Sequence, residues 1–105
     1  MAPILPDIGP EKISAVFRAL KYEEIDELKH LIDEHPQLVN CRSSAERTPL
    51  HTAARRGLVE AVRFLLEKGA DPEARDYRDW TALDWAIDHH QEAVVDLLRG
   101  RLRST

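Results

Sequence analysis

The sequence has 105 residues, of which 43% are hydrophobic and 32% charged, and its formal net charge is −4. This length suits a single small domain, and the negative charge gives no overall attraction to nucleic acid or to an anionic membrane. With one cysteine the chain cannot form an internal disulfide, and no run of residues is long and apolar enough to cross a bilayer.

Residues 1–10 are rich in proline, which predicts a leader without a helix of its own because proline lacks the backbone N–H that a helix interior needs. Two interpretations stay open for this leader: it is loosely attached, or its apolar residues fold back over the first helices. Pro10 is expected to start the first helix, with Asp7 or Gly9 as the capping residue.

Residues 11–43 contain two segments with apolar residues at helical spacing, one over residues 13–21 and one over residues 24–34. Lys29 and Asp33 are spaced to form an ion pair along the second helix. The outer face of that helix is polar, which is typical of the terminal unit of a stack.

Residues 44–76 carry the clearest pattern. Thr48 can cap a helix whose first residue is Pro49, since a missing N–H costs nothing at that position. Gly57 suits a positive φ in the turn to a second helix, and Gly69 closes that helix. One helix pair cannot hide its own apolar face, so a neighbouring pair must cover it.

Residues 77–105 follow the same order at a period of about 33 residues, which places Thr81 on Thr48. The last helix is predicted over residues 91–101. Arg99 stands where the middle unit has a leucine, which makes the outer face polar, as the end of a stack requires.

The run Thr-Pro-Leu-His at residues 48–51, with the alanines and glycine that follow it, resembles the ankyrin-repeat family over about residues 11–102. The resemblance implies an all-α fold, an ankyrin-repeat solenoid of three helix-turn-helix repeats with short β-turn-like fingers. The repeats would occupy residues 11–43, 44–76 and 77–105, and the first and last would act as caps.

The resemblance also implies particular roles within the turns. His51 would link neighbouring turns by hydrogen bonds, which is a structural and not a catalytic role. Asp84 replaces this histidine in the last repeat, so the chain of hydrogen bonds is expected to end there. Glu46 and Asp79 stand where the family usually has a finger glycine, and a positive φ is costlier for them than for glycine.

Family members bind their partners on a concave face, which consists of the finger tips and the exposed sides of the first helices. Tyr, Trp and Arg dominate the energetics of such interfaces. The resemblance implies that the following residues bind a partner: Tyr77, Arg78, Trp80, Arg47, Arg55, Arg56, Asp88, His89 and Tyr22. Trp80 could instead pack against its own finger and Arg47, and Trp85 is expected to pack between repeats.

No pattern in the sequence indicates catalysis, and we expect neither a cofactor nor a metal. His89 and His90 are adjacent, so they point about 100° apart on a helix, and no third ligand follows at a suitable spacing. Cys41 has no base at a motif spacing that would activate its thiol.

The first functional hypothesis is a non-catalytic protein–protein interaction module that binds another protein through the concave face. A nucleic-acid-binding module is the alternative, and a steep fall of affinity with salt would favour it. It would use Arg42, Arg47, Arg55, Arg56 and Arg63. Arg63 is expected on the opposite, convex side, which weakens this alternative. A purely structural or engineered repeat scaffold also stays open. We expect a monomer in the cytoplasm, or in the nucleus, without membrane contact.

Overall fold

A computed structural model describes residues 9–103, with side chains described as far as residue 100. Its elements are α1 (Pro10–Lys21), α2 (Ile25–Glu34), a 3-10 helix (Pro36–Asn40), α3 (Pro49–Arg56), α4 (Val59–Glu67), α5 (Ala82–Asp88) and α6 (Glu92–Arg103). This part of the chain contains no strand, and the predicted all-α class is confirmed. Gly9 occupies the capping position of α1 and Pro10 begins the helix, whereas Asp7 and the other leader residues before Gly9 lie outside the described residues.

The helices form helix-turn-helix units that stack side by side in two layers. In one layer α1 contacts α3 and α3 contacts α5, and in the other layer α2 contacts α4 and α4 contacts α6. The core between the layers is made of fully buried side chains, which include Leu20, Leu28, Leu50, Leu65 and Leu98. Burial of each leucine contributes about 1.5–3 kcal/mol, and each unit depends on its neighbour for that burial.

Threonine caps start α3 and α5, as the sequence predicts. Thr48 Oγ1 accepts a hydrogen bond from the N–H of His51 at 3.3 Å, and His51 Nδ1 accepts one from the N–H of Thr48 at 3.1 Å. At the start of α5, Thr81 and Asp84 make the same reciprocal pair at 3.2 and 2.9 Å. Each pair satisfies two N–H groups that would otherwise lack partners at a helix end.

The turn inside each unit contains one residue with a positive φ. Gly57 has φ 72°, which confirms its prediction, and the equivalent residues Glu23 and His90 have φ 57° each. The N–H of the next residue bonds back to an alanine carbonyl of the first helix at 2.8, 3.0 and 2.8 Å. A Cβ on Gly57 would lie 2.3 Å from Oε1 of Gln91, so the Gln91 amide, which donates to the carbonyl of Arg55, would have to move for a larger residue.

The fingers, residues 42–47 and 75–80, each contain a positive φ without a glycine, at Glu46 (60°) and Asp79 (65°). A side chain in this left-handed region costs about 1–2 kcal/mol relative to an ordinary conformation. The fingers therefore keep the backbone geometry that the family gives to glycine, at some cost in stability.

Hydrogen bonds hold the fingers in this geometry. The N–H of Tyr77 donates to the carbonyl of Ala45 at 3.1 Å and joins the two fingers. Arg42 donates to the carbonyls of Glu46 and Arg75 at 2.7 Å each, so one guanidinium ties the tip of its own finger to the start of the next. Because the turn is bonded on several sides, the strained residue persists.

Replacing Glu46 by glycine is expected to raise the free energy of unfolding by up to about 1 kcal/mol, because glycine accepts the positive φ without strain and loses only part of that gain to unfolded-chain entropy. Urea unfolding followed by circular dichroism measures the change. Ser44→Gly is the matched control, because it alters an exposed residue of the same finger whose φ is not positive. The control is expected to lose stability. A Glu46→Gly variant no more stable than the wild type would contradict strain at this position.

The ion pairs of α2 differ from those expected. The sequence predicts an ion pair between Lys29 and Asp33 along α2, and this is wrong. Lys29 Nζ lies 3.0 Å from Glu60 Oε2, and Asp33 Oδ1 lies 3.1 Å from Lys68 Nζ, so both pairs cross to α4 and its C-terminal end. Stacking brings oppositely charged partners on the next unit within reach, which the sequence spacing along one helix does not reveal.

The last helix also differs from its predicted range of residues 91–101, since α6 starts at Glu92 and continues to Arg103.

Within residues 9–103, no helix is both long and apolar enough to span a lipid bilayer.

Candidate functional site

Trp85 lies at the centre of the candidate site. It belongs to α5 and is 6% exposed, and the guanidinium carbons of Arg47, Arg55 and Arg78 lie 4.9, 5.9 and 5.4 Å from the centre of its rings. The face of an indole attracts cations, so one buried side chain collects arginines from both fingers and from α3. The predicted packing of Trp85 between neighbouring units is confirmed.

Two further predicted residues complete this group. The ring centre of Trp80 lies 4.8 Å from that of Trp85 at an angle of 58°, and the ring of His89 lies 5.8 Å away at 25°. Trp80 is half-buried and also lies under Arg78, at 5.8 Å, whereas Arg47 lies over the Trp85 ring. The six residues form what we name the tryptophan cluster: Arg47, Arg55, Arg78, Trp80, Trp85 and His89.

Asp76 holds the tryptophan cluster in place through hydrogen bonds. Its side chain is fully buried, and it accepts hydrogen bonds from Trp85 Nε1 at 2.6 Å and from the backbone N–H groups of Arg78 and Trp80 at 2.9 and 3.1 Å. Burial acts to raise the pKa of Asp76, but these hydrogen bonds outweigh it, so the pKa lies below its ordinary value. The carboxylate therefore stays ionised and fixes the indole and the second finger together.

His51 joins α3 to the second finger. Its ring is 1% exposed, Nδ1 accepts from the N–H of Thr48 at 3.1 Å, and Nε2 lies 2.8 Å from the carbonyl of Trp80. Since the Thr48 N–H can only donate, we assign the proton to Nε2, which donates to Trp80. Burial lowers the pKa of His51. The linking role implied by the resemblance is confirmed, and the Asp84 carboxylate bonds to Thr81 alone among the described residues.

A pocket of about 310 Å³ opens beside the cluster, between the first finger, α1 and α3. This arginine pocket, as we name it, is lined by Phe17, Lys21, Ser43, Arg47, Thr52, Arg55 and Arg56. Arg56 donates to the carbonyl of Lys21 at 2.8 Å and so joins α3 to α1 at its edge. A finger and two first helices therefore share one concave face, as the resemblance implies.

Two arginines of the pocket lack hydrogen-bond partners. The Nε–H groups of Arg47 and Arg55 are buried, and neither has an acceptor among the described residues. Asp76 Oδ2 lies 4.0 Å from Nε of Arg47, which is too far for a hydrogen bond. Burial lowers the pKa of Arg55, and the charges of Arg47 and Arg56 lower it further. Among the described residues, this 4.0 Å ion pair with Asp76 is the only one that a cation of the pocket forms, so Lys21, Arg55 and Arg56 carry positive charge that no carboxylate neutralises.

The predicted tyrosines are both exposed, Tyr22 directly after α1 and Tyr77 in the second finger. Tyr22 is 62% exposed, with the Nζ of Lys21 at 5.5 Å from its ring centre. Tyr77 is 59% exposed, and its hydroxyl accepts a hydrogen bond from Nε of Arg78 at 3.0 Å. Both rings are therefore open to a partner, and Tyr77 adjoins the tryptophan cluster directly.

Asp88 ends α5, and its carboxylate lies 3.7 Å from Nε2 of His89. Among the described residues, no three histidine, cysteine or acidic side chains are grouped so that they could hold a metal ion.

Cys41 is half-buried, and burial raises the pKa of its thiol to about 11, so the thiol is protonated at neutral pH.

The predicted set omits Asp76 and Lys21. Asp76 has a signal in the sequence, because it occupies the same finger position as Ser43, and both are turn-forming residues. Ser43 Oγ accepts from the N–H of Ala45 at 3.3 Å, as Asp76 accepts from that of Arg78. Lys21 has a signal as well, because it holds the same place near the end of α1 as Arg55 does near the end of α3, on the side that the resemblance assigns to the concave face.

Comparison with known proteins supports the sequence resemblance. A family model described as ankyrin repeats, in three copies, matches residues 7–102. The serine/threonine-protein kinase VIK of Arabidopsis thaliana is 38% identical over 70% of this chain, and ankyrin repeat and SAM domain-containing protein 6 of Rattus norvegicus is 37% identical over 79%. The 26S proteasome non-ATPase regulatory subunit 10 of Dictyostelium discoideum is 30% identical over 86%. The matches cover 17%, 10% and 39% of these proteins respectively.

Proposed function

Because this chain belongs to the ankyrin-repeat family, we propose that it is a non-catalytic module that binds another protein through its concave face. Ankyrin repeats are generally protein-interaction modules without catalytic activity. The observation that carries the proposal for this chain is the tryptophan cluster, which gathers Arg, Trp and His side chains beside a pocket on that face. Arginine and aromatic residues are the types that dominate binding energy at protein interfaces.

The way the cluster is held supports binding as its role. Asp76 and the buried Trp85 fix the fingers, and three arginines lie against the indole in defined positions. Side chains that are already ordered lose less conformational entropy when a partner binds. Exposed Tyr22 and Tyr77 flank this rigid centre and offer apolar contact area.

Protein rather than nucleic acid is the partner that the charges favour. Arg63 lies on α4, in the layer opposite the arginine pocket, so the arginines do not form one basic surface. The net charge of −4 also opposes a polyanion.

We further infer that the protein is a monomer in the cytoplasm, or in the nucleus. The single cysteine supports such a reducing compartment.

A Tyr22→Ala, Tyr77→Ala double variant is expected to lose partner binding while it keeps its fold, because both side chains are exposed on the concave face. The immobilised wild-type protein is used to capture proteins from a lysate of the source organism. A captured candidate is then purified and its Kd measured by calorimetry, and we expect a rise of at least about tenfold in the variant.

The matched control is an Arg63→Ala, Glu67→Ala double variant, which alters two exposed residues of α4. It is expected to bind the same partner as the wild type does. Circular dichroism and the thermal midpoint verify that both variants are folded. Equal binding by all three proteins, or loss in the α4 variant alone, would move the binding surface away from the concave face.

A further inference from the structure

The arginine pocket allows a more specific statement about the partner, which rests on the proposed function. We infer that this pocket binds an oxyanion, a carboxylate or a phosphoryl group, on a side chain of an extended acidic segment in the partner protein. Arg47 and Arg55 would make the central contacts, and Lys21 and Arg56 would contribute charge at the rim.

The charge of the pocket is opposite to that of the whole chain. Four cations line it and no acidic residue does, although the net charge of the sequence is −4. Lys21, Arg55 and Arg56 form no ion pair with any residue in the described part of the chain. The carboxylate nearest to Arg47, that of Asp76, is already bonded to three N–H donors. A bound anion would therefore meet three cations that have no carboxylate partner among the described residues, and a fourth whose carboxylate partner lies beyond hydrogen-bond distance.

The geometry of the arginines fits an oxyanion better than it fits a neutral group. The planar guanidinium presents several N–H donors in a fork that matches the two oxygens of a carboxylate or of a phosphoryl group. Arg47 and Arg55 both line the pocket, and each lies over the Trp85 indole, at 4.9 and 5.9 Å, so they are held near each other despite their like charges. An anion between them would relieve their repulsion, and the hydroxyls of Ser43 and Thr52 also line the pocket.

The size and position of the pocket favour a protein segment as the source of the anion. A volume of about 310 Å³ is at the low end of the range for small-molecule sites, and it suits one or two side chains. The pocket also shares Arg47 and Arg55 with the tryptophan cluster. A segment that places an acidic side chain here can therefore continue over the fingers.

The test is an NMR titration of the uniformly ¹⁵N-labelled full chain, which follows the Nε–Hε signals of Arg47 and Arg55. The probes are three blocked peptides of equal length, with three glutamates, three glutamines, or a single phosphoserine at the centre. Sodium chloride at matched ionic strength is the reference. We expect saturable shifts of both arginine signals, with a Kd on the order of 1 mM, for the glutamate or the phosphoserine peptide and none for the glutamine peptide.

Single variants test whether the peptide binds in the arginine pocket. Arg55→Gln is expected to weaken binding of the responding peptide by about tenfold, because a charge-assisted pair is lost. Arg63→Gln, the matched change on α4, is expected to leave it unchanged. Lys21→Gln alters an exposed side chain and gives a second loss of affinity should Arg55→Gln fail to fold.

Each outcome decides the inference. Binding of one charged peptide alone supports it and identifies the source as carboxylate or phosphoryl, and binding of both supports the shared chemistry. No saturable shift with either charged peptide, equal shifts with the glutamine peptide, or an equal loss in Arg63→Gln overturns it.

The double variant at Tyr22 and Tyr77, which tests the proposed function, leaves the arginine pocket intact. Capture of a partner on the concave face without peptide binding would therefore reject the oxyanion alone, and peptide binding without such a partner would reject the proposed function alone.

Discussion

An Asp76→Asn variant is expected to lose about 2–4 kcal/mol of unfolding free energy, since a buried hydrogen-bonded charge is replaced by a group that cannot accept at both oxygens. In the native protein Oδ1 accepts from the N–H groups of Arg78 and Trp80, and Oδ2 accepts from Nε1 of Trp85. The amide NH₂ of asparagine must face one of these donors in either orientation, so at least one buried donor loses its acceptor. Urea unfolding at neutral pH measures the loss.

Ser43→Ala is the control, because Ser43 holds the same place in the first finger but makes one bond, from the N–H of Ala45 at 3.3 Å. Its cost is expected to stay near or below about 1 kcal/mol. A cost for Asp76→Asn no larger than that of Ser43→Ala would contradict the supporting role of the buried carboxylate. Because Asp76 fixes Trp85, we also expect the variant to broaden the Nε–Hε signals of Arg47 and Arg55.

The second large effect concerns His51 and pH. Burial lowers the pKa of His51, so the folded protein binds its proton less readily than the unfolded chain does. Stability is then fully present above the unfolded pKa of about 6.5 and is lost as pH falls from there through the lowered folded pKa, with a slope of at most about 1.4 kcal/mol per pH unit. Burial is the main physical reason, and in addition a proton on Nδ1 would face the N–H of Thr48, which donates to this nitrogen at 3.1 Å.

His51→Gln is expected to cost about 2 kcal/mol at neutral pH, because Thr48 and Trp80 lose a shared partner, and to flatten the pH dependence below about pH 6.5. Urea unfolding at several pH values gives both quantities. His30→Gln, at an exposed position on α2, is the control for a histidine that does not join two units, and it is expected to cost less at neutral pH than His51→Gln does. An unchanged pH slope in His51→Gln would show that another group titrates in this range.

Much of the fold could be predicted because it depends on short-range chemistry. Thr48 and Thr81 cap helices through bonds to residues three positions away, and Gly57 supplies a positive φ within a turn. Such features depend on residues that are close in sequence. The ion pairs of Lys29 and Asp33 could not be predicted from local spacing, because their partners lie in the next unit.

The candidate site was predictable as a set of residues but not as an arrangement. The family pattern placed Arg47, Arg55 and Arg78 on one face, and it gave no reason for them to converge on Trp85. It also left out Asp76, which accepts two hydrogen bonds within its own finger and a third, from Nε1 of Trp85, only when that finger folds onto α5. Whether these residues bind a partner stays a prediction.

The sequence by itself therefore determined the helices, their caps and the repeated order of the units, because periodic apolar residues and local hydrogen bonds act within a few residues of each other. Only the tertiary structure decided where the charges meet. Stacking of the units brings Lys21, Arg47 and Arg55 around one pocket from three separate segments, and it buries the indole that holds the two arginines. Electrostatic interactions act through space between residues distant in sequence, so the arginine pocket exists only in the folded chain.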